Sequence, residues 1–154
     1  MATILLLSGP NLNLLGDREP EVYGTTTLEE LVAVARKHAE RRGHDLEHLQ
    51  SNHEGALIDA IHGACGRCAA IVFNPGAFTH YAYGLTDALA AFEGIVVELH
   101  LSNPHARETW RHVSVIAPVA TGTIAGFGAT GYRLAIEAVA DRIGELDDSE
   151  ESTS

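Results

Sequence analysis

The chain has 154 residues, of which 45% are hydrophobic and 20% charged, and its formal net charge is −11. This length fits one domain with a sizeable core, and no apolar run approaches the roughly 18 residues that a membrane span needs. The acidic balance argues against non-specific binding of nucleic acid, and the N-terminus lacks the basic region and the cleavage site of a secretory signal. We therefore expect a cytoplasmic protein with neither a membrane nor a nucleic-acid partner.

Strand-like and helix-like segments alternate five times along the chain. Each predicted strand is a short apolar or weakly alternating run, and each predicted helix repeats apolar residues at spacings of three and four. In chain order they are strand Thr3–Leu7, a helix from Thr27 to about Arg42, strand Asp45–Gln50, helix Glu54–Ala64, strand Ala69–Phe73, a helix that begins at Thr79 and ends before Gly94, strand Ile95–Leu99, two strand-like pieces at Val113–Ile116 and Gly122–Ala125, one of which is the fifth strand, and helix Tyr132–Ile143.

This alternation predicts an α/β fold. Five strands in 154 residues fit a flavodoxin-like, doubly wound parallel sheet in three α/β/α layers better than a six-stranded dinucleotide-binding fold. We expect a single domain over residues 1–144. The remaining segment, Glu145–Ser154, has five acids and no base, and this composition predicts a disordered acidic tail.

The loop after the first strand, Ser8–Gly24, is far longer than the about 2–6 residues that usually link a strand to a helix. Long loops with chemically specific side chains are typical of functional lids. Arg18 and Tyr23 lie in this one, within the Gly-bounded segment Gly16–Gly24. The loop therefore predicts a lid that carries reactive groups.

Polar side chains follow three of the predicted strands where each strand ends: Asn11, Asn74 and His100. Because the carboxyl ends of parallel strands meet at one edge of a sheet, we expect these side chains to share a site. His80 also follows a buried strand among polar groups, and for both His80 and His100 catalysis is favoured over a structural role. Metal binding by His100 with His105 is an alternative.

Other motifs carry weaker predictions. Gly126–Gly131 has the spacing GxGxxG, but it precedes the last helix rather than opening the first strand–helix–strand unit. We interpret it as a tight turn that lets the helix pack close to the sheet, with flavin or dinucleotide binding as the alternative. Cys65 and Cys68 form a CxxC at a predicted helix C-terminus, whereas reactive pairs usually lie at an N-terminus and a zinc site needs two more ligands.

Two covalent mechanisms find no support. No GxSxG surrounds Ser8 or Ser102, so a serine hydrolase is not indicated. The single lysine, Lys37, lies on the polar side of a helix, whereas a Schiff-base mechanism needs a desolvated lysine.

Four blocks of sequence, in order and at consistent spacing, contain most of the polar residues above. They are GPNLNLLG at 9–16 with REP at 18–20 and YG at 23–24, QSNHEG at 50–55, NPGAFTH at 74–80, and ELHLSN at 98–103 with His105, Arg107 and Arg111. Together they resemble the signature of type II 3-dehydroquinate dehydratases over about residues 3–143. The resemblance implies a flavodoxin-like fold, no metal, no cofactor, and self-association as a homododecamer, a tetramer of trimers.

Enzymes of this family convert 3-dehydroquinate to 3-dehydroshikimate by anti elimination through an enolate, in the shikimate (aromatic amino acid) or quinate pathway. The resemblance therefore implies a lyase in which Tyr23 is the base and His100 the acid. A free tyrosine has a pKa near 10, so the positive charges of Arg18 and Arg107 would favour the tyrosinate. Glu98 precedes His100 by two residues, on the same side of the strand, and would orient the imidazole.

The resemblance also implies how substrate is held. Asn11 would stabilise the enolate. The implied binding groups are Asn74 with the backbone N–H groups of Leu101 and Ser102 for the carboxylate, His80 and Arg111 for the ring hydroxyls, and Asp87 from a neighbouring subunit. Thr86 stands beside Asp87 where the family usually has Arg, which bears on the subunit contact. A catalytically inactive scaffold is disfavoured because such a module has no need to keep Arg18, Tyr23 and His100.

Overall fold

The computed structural model describes residues 1–153, and its five strands form one sheet in the spatial order β2-β1-β3-β4-β5. All four strand pairings are parallel. The strands are β1 (Thr3–Ser8), β2 (Asp45–Gln50), β3 (Ala70–Asn74), β4 (Ile95–His100) and β5 (Gly122–Ala125). The predicted flavodoxin-like α/β fold is confirmed.

The helices cover both faces of this sheet. They are α1 (Pro20–Tyr23), α2 (Leu28–Arg41), α3 (Glu54–Ala64), α4 (Tyr83–Ala90) and α5 (Thr130–Thr153). Helices α2 and α5 bury one apolar cluster against the sheet, and α3 and α4 bury a second on the other side. Every residue of β3 and β4 is buried, which explains why both read as apolar runs. No helix among residues 1–153 has the length and apolar character to cross a membrane.

Helix α2 shows how local sequence sets an element's ends. The Glu30 N–H donates to Thr27 Oγ1 over 3.2 Å, so the hydroxyl satisfies one of the free donors of the first turn. At the other end Gly43 has φ +80°, a conformation that costs glycine little. The predicted helix therefore begins and ends where its capping residues place it.

Two predicted segments differ in the structure. Thr79 does not begin a helix, because it lies in a 3-10 turn, Gly76–His80, and α4 starts only at Tyr83. Val113–Ile116 is not a strand. The Val115 N–H donates to the Thr79 carbonyl over 2.7 Å, so this segment is bound to the turn rather than to the sheet.

The acidic C-terminal segment corrects a prediction. We expected disorder over 145–154, but α5 continues through 145–153, and only Ser154 lies outside the described residues. The last buried residue of the helix is Ile143. Beyond it the turns are held locally: Arg142 pairs with Glu145, and the hydroxyls of Ser149, Ser152 and Thr153 donate to carbonyls three or four residues earlier.

The loops that follow β1 and β3 touch each other at the carboxyl edge of the sheet. The Gly9 N–H donates to the Asn74 carbonyl over 2.8 Å. A Cβ at position 9 would lie 2.4 Å from the Pro75 carbonyl oxygen, so glycine is required for this approach. The backbone around Asn74 is therefore positioned by contact with the first loop.

We predict that Gly9→Ala lowers the free energy of unfolding by about 1–3 kcal/mol, because two backbones must separate to admit the methyl group. Gly63→Ala in α3 is the matched control, since its added Cβ meets nothing within 4 Å, and it should stabilise the protein by about 0.5–1 kcal/mol. Urea denaturation measures both variants. Equal effects at the two positions would contradict the steric argument.

Candidate active site

A cavity lies at the carboxyl edge of the sheet, beside the neighbouring strands β1 and β3. Loops that follow β1, β3 and β4 supply its walls. Ten of the residues predicted for the site line it: Asn11, Arg18, Tyr23, Asn74, His80, His100, Leu101, Ser102, Arg107 and Arg111. Pro10, Leu12, Gly76, Ala77 and Pro104 complete the lining.

Tyr23 lies between two guanidinium groups. Arg107 Nη1 donates to the Tyr23 hydroxyl over 2.7 Å and is 3.3 Å from Ser102 Oγ. The guanidinium carbons of Arg18 and Arg107 lie 5.1 and 5.0 Å from the centre of the Tyr23 ring. The phenol therefore has one guanidinium group hydrogen-bonded to its oxygen and two beside its ring, and the Arg18 group is itself 3.6 Å from Glu19.

The loop that carries Tyr23 has local structure. Pro20 opens the single turn of α1, and Tyr23, at its end, packs against the α2/α5 cluster. Asn11 adopts φ +67°, which Asn tolerates better than most residues. Its N–H donates to Asn52 Oδ1 over 3.0 Å, and Gln50 Nε2 donates to the same oxygen over 3.1 Å. The block QSNHEG therefore supports the first loop, a role that its sequence did not reveal.

His100 and Glu98 form a buried pair in which His100 Nε2 lies 2.6 Å from Glu98 Oε2. Glu98 is only 1% exposed. Thr79 Oγ1 donates to Glu98 Oε2 over 2.5 Å, and Ser114 Oγ donates to the same oxygen over 2.9 Å. Thr79 and Ser114 were missed in the sequence, because their partner is distant along the chain.

The Glu98 carboxyl is held as an anion. Burial alone would raise its pKa, but hydrogen bonds from His100, Thr79 and Ser114 outweigh burial and bring the pKa below its ordinary value. Since Nε2 of His100 donates to this anion, the other ring nitrogen is left toward the cavity. The pair can therefore stabilise an imidazolium that gives up a proton there.

His80 has a different environment. Its Nδ1 lies 2.8 Å from the Val113 carbonyl, so Nδ1 carries the hydrogen and Nε2 is an acceptor. Burial lowers the pKa of His80, and the neighbouring His100 and Arg111 lower it further. The hydrogen bond to the Val113 carbonyl raises this pKa, but by less than the lowering. The Trp110 ring meets His80 edge-on at 5.3 Å. His80 is therefore a neutral hydrogen-bonding group at this wall.

Asp87 and the weaker motifs lie elsewhere. Asp87 is exposed on α4 and does not line the cavity of a single chain. Burial raises the pKa of the Cys68 thiol, the opposite of what a reactive thiol needs. At Gly131 a Cβ would lie 3.1 Å from Leu99 Cδ1, so the GxGxxG turn brings α5 close to the sheet. Among residues 1–153 no three His, Cys, Asp or Glu side chains are grouped as metal ligands.

Comparison with known proteins identifies the family of the chain. The description "Dehydroquinase class II" belongs to the family model that matches residues 2–140. A 3-dehydroquinate dehydratase of Ruegeria pomeroyi is 60% identical over 140 residues, covering 91% of this chain and 94% of the relative. A catabolic 3-dehydroquinase of Aspergillus terreus is 52% identical over 145 residues, covering 94% and 95%. The crystal structure of a type II dehydroquinase from Propionibacterium acnes superposes with a TM-score of 0.86 at 41% identity, covering 92% and 97%.

The fold and cavity thus define an α/β enzyme whose site joins a phenol between two guanidinium groups to an imidazole backed by a buried carboxylate. The chain belongs to the class II dehydroquinase family.

The depressed pKa of Glu98 predicts a pH dependence of stability. The native state binds a proton at this carboxyl less readily than the unfolded chain, whose pKa is near 4.5. The stabilisation is therefore present above that pH and is lost as pH falls through the lower native value. We expect the free energy of unfolding to fall more steeply on acidification in the wild type than in Glu98→Gln, as measured by urea unfolding from about pH 6 to about pH 3.

Glu150→Gln removes one carboxylate from the exposed end of α5 and controls for the change in net charge. It should follow the wild-type curve. Parallel curves for the wild type and Glu98→Gln would show that Glu98 contributes nothing to this dependence.

Proposed function

We propose that this protein dehydrates 3-dehydroquinate to 3-dehydroshikimate and water, by anti elimination through an enolate, in the shikimate or quinate pathway. One observation carries the proposal: a phenol that can act as a base and an imidazole that can act as an acid line the same cavity. The names of relatives that are 50–60% identical over most of the chain support the choice of substrate.

The first step removes a proton from the carbon next to the ketone. Tyr23, as the tyrosinate, takes this proton, and the electron pair of the broken C–H bond moves to the ketone oxygen to form the enolate. Arg107 donates a hydrogen bond to the phenol oxygen, and the guanidinium group of Arg18 lies beside the ring. Asn11 stabilises the enolate by hydrogen bonding through a water.

The second step breaks the C–O bond. As the enolate collapses, its electrons form the new C=C bond and the hydroxyl leaves, taking a proton from His100 to become water. Glu98 stabilises the imidazolium before transfer and holds the ring in place. The base, Tyr23, and the acid, His100, thus come from different parts of the chain.

Substrate is held by groups around this pair. Asn74 and the N–H groups of Leu101 and Ser102 bind the carboxylate, and His80 and Arg111 bind ring hydroxyls. The charges of Arg18, Arg107 and Arg111 suit an anionic substrate. The segment Gly16–Gly24 closes over the substrate and excludes water. This chemistry requires no metal and no cofactor. The assay described below, run with and without a chelator, tests whether a metal is required.

Residues 1–144 form the catalytic unit, which acts in the cytoplasm as a homododecamer of four trimers. Large hydrophobic side chains beside the cavity support a subunit contact, because Tyr81, Tyr83, Trp110 and Val113 are each more than half exposed. Asp87 lies on the adjacent helix and reaches the cavity of the neighbouring subunit. Thr86 donates to the Val115 carbonyl over 2.9 Å, so this position is fixed within its own subunit.

The experiment that tests the function adds 3-dehydroquinate to purified protein and records ultraviolet absorbance. The product contains a conjugated enone, so absorbance should rise. The rise should be equal with and without a chelator, and borohydride should not inactivate the protein because no lysine Schiff base forms. Failure of well-folded protein to turn over the substrate would refute the function.

Tyr23→Phe should lower kcat by about 10²–10⁴-fold, because the base is lost. Binding of a product-like competitor should change little. Tyr83→Phe, which removes a hydroxyl but keeps the aromatic ring that the proposed subunit contact uses, is the matched control and should retain activity. An active Tyr23→Phe protein would remove Tyr23 as the base.

The assembly predicts a particle mass about twelve times the 16.4 kDa of one chain. Sedimentation equilibrium or light scattering measures it. A monomer that retains full activity would contradict both the assembly and the contribution of Asp87 from a neighbouring subunit.

A further inference from the structure

Four polar side chains form a continuous hydrogen-bonded row beneath the cavity, on the face of the sheet that α2 and α5 cover. Asn74 Nδ2 lies 3.1 Å from the Tyr132 hydroxyl, which is hydrogen-bonded to Ser8. Ser8 Oγ lies 2.9 Å from His48 Nε2. We call these four residues the polar row. Ser8 and Tyr132 are fully buried, and Asn74 is 3% exposed.

The register of the sheet brings the row together. Ser8 and Asn74 are paired directly across β1 and β3, and His48 is paired with Leu6, one step along the same face of β1. Tyr132 enters from the first turn of α5, above the strand ends. Residues from four different elements therefore meet in an otherwise apolar layer.

A backbone donor fixes the direction of the hydrogen bonds. The Gly76 N–H lies 3.2 Å from Asn74 Oδ1, and an N–H can only donate, so the carbonyl side of the amide must face it. The amide NH₂ then faces Tyr132. One of its two hydrogens goes to the Tyr132 oxygen, and the other remains for the cavity that Asn74 lines.

The rest of the row follows from this direction. Because the Tyr132 oxygen accepts from Asn74, its own hydrogen goes to Ser8, and the Ser8 hydrogen goes to His48 Nε2. Burial raises the pKa of Tyr132 to about 12, so it keeps the hydrogen that it donates. Burial, together with the charge of Arg36, lowers the pKa of His48, which favours the neutral ring that accepts.

We propose that Tyr132 and Ser8 are positioning residues that hold the Asn74 amide with one N–H directed at the substrate's carboxylate. This inference rests on the proposed function for the identity of the ligand. Neither residue touches the substrate. Without the Tyr132 hydroxyl, one hydrogen of the Asn74 amide loses its buried acceptor, and the amide turns to recover one. The N–H then no longer points at the carboxylate.

The test is a kinetic comparison of the whole protein with Tyr132→Phe, which removes only the hydroxyl. Loss of one hydrogen bond of ordinary strength predicts a KM for 3-dehydroquinate about three- to tenfold higher. Because the carboxylate is bound in both ground and transition states, kcat should change less than about twofold.

A double-mutant cycle separates positioning from a merely structural role. In the Asn74→Ala background the same Tyr132→Phe change should alter KM by less than about 1.5-fold, because the group that it positions is absent. A KM rise of equal size in both backgrounds would overturn the proposal. So would an unchanged KM in folded Tyr132→Phe.

Ile136→Val is the matched control, one turn further along α5 and equally buried. It should lower thermal stability without moving KM. If Tyr132→Phe fails to fold, Ser8→Ala, which removes the acceptor of the Tyr132 hydrogen, takes its place in the same cycle and is read by the same criteria.

A crystal structure of the Tyr132→Phe protein distinguishes failure of this inference from failure of the proposed function. If the wild type does not turn over 3-dehydroquinate, the proposed function is refuted. The orientation of the Asn74 amide in the crystal still tests whether Tyr132 positions it. An Asn74 amide turned away from its wild-type contacts supports the positioning role. An amide in its original place overturns that role.

Discussion

One buried carboxylate decides how the catalytic edge of this molecule is arranged. Moving an ion out of water costs several kcal/mol unless it is paired and hydrogen-bonded. Glu98 lies in the central part of the sheet with 1% of its surface exposed, and its partners come from three places in the chain. The turn after β3 provides Thr79, the segment before β5 provides Ser114, and β4 itself provides His100. Each of these segments must be in place for the charge to be tolerated, so the ion and the fold of the edge depend on each other.

The two reactive groups are controlled by opposite electrostatic environments. Tyr23 lies on a short turn with the guanidinium groups of Arg18 and Arg107 beside its ring. His100 lies at the end of a buried strand, against the carboxylate of Glu98. His100 thus belongs to the sheet itself, whereas Tyr23 belongs to a loop at its carboxyl edge.

Much of the fold and most of the cavity lining could be predicted from sequence. Apolar runs such as Ile95–Leu99 are buried on both faces and are therefore recognisable as strands. The polar residues after strand ends were readable because parallel strands share an edge. The helix predicted at Thr79 was wrong because that residue's carbonyl and hydroxyl are both engaged by distant partners, Val115 and Glu98. Ser114 and Tyr132 were not predicted for the same reason, because their partners, Glu98 and Asn74, lie 16 and 58 residues away along the chain.

The continuation of α5 into the acidic segment separates charge across the molecule. Arg42, at the end of α2, binds Glu137 and Asp141 of α5. About one and a half turns further along α5, the charge of Asp147 acts on the imidazole of His44, which lies beside the amino ends of β1 and β2. The five acids of the segment therefore lie toward the amino edge of the sheet, while Arg18, Arg107 and Arg111 converge at the carboxyl edge. The cavity of a molecule with a net charge of −11 is thus lined, among residues 1–153, by three guanidinium groups and by no carboxylate. Local positive charge of this kind attracts an anion at short range, an effect that salt screens within about 8–10 Å under physiological conditions.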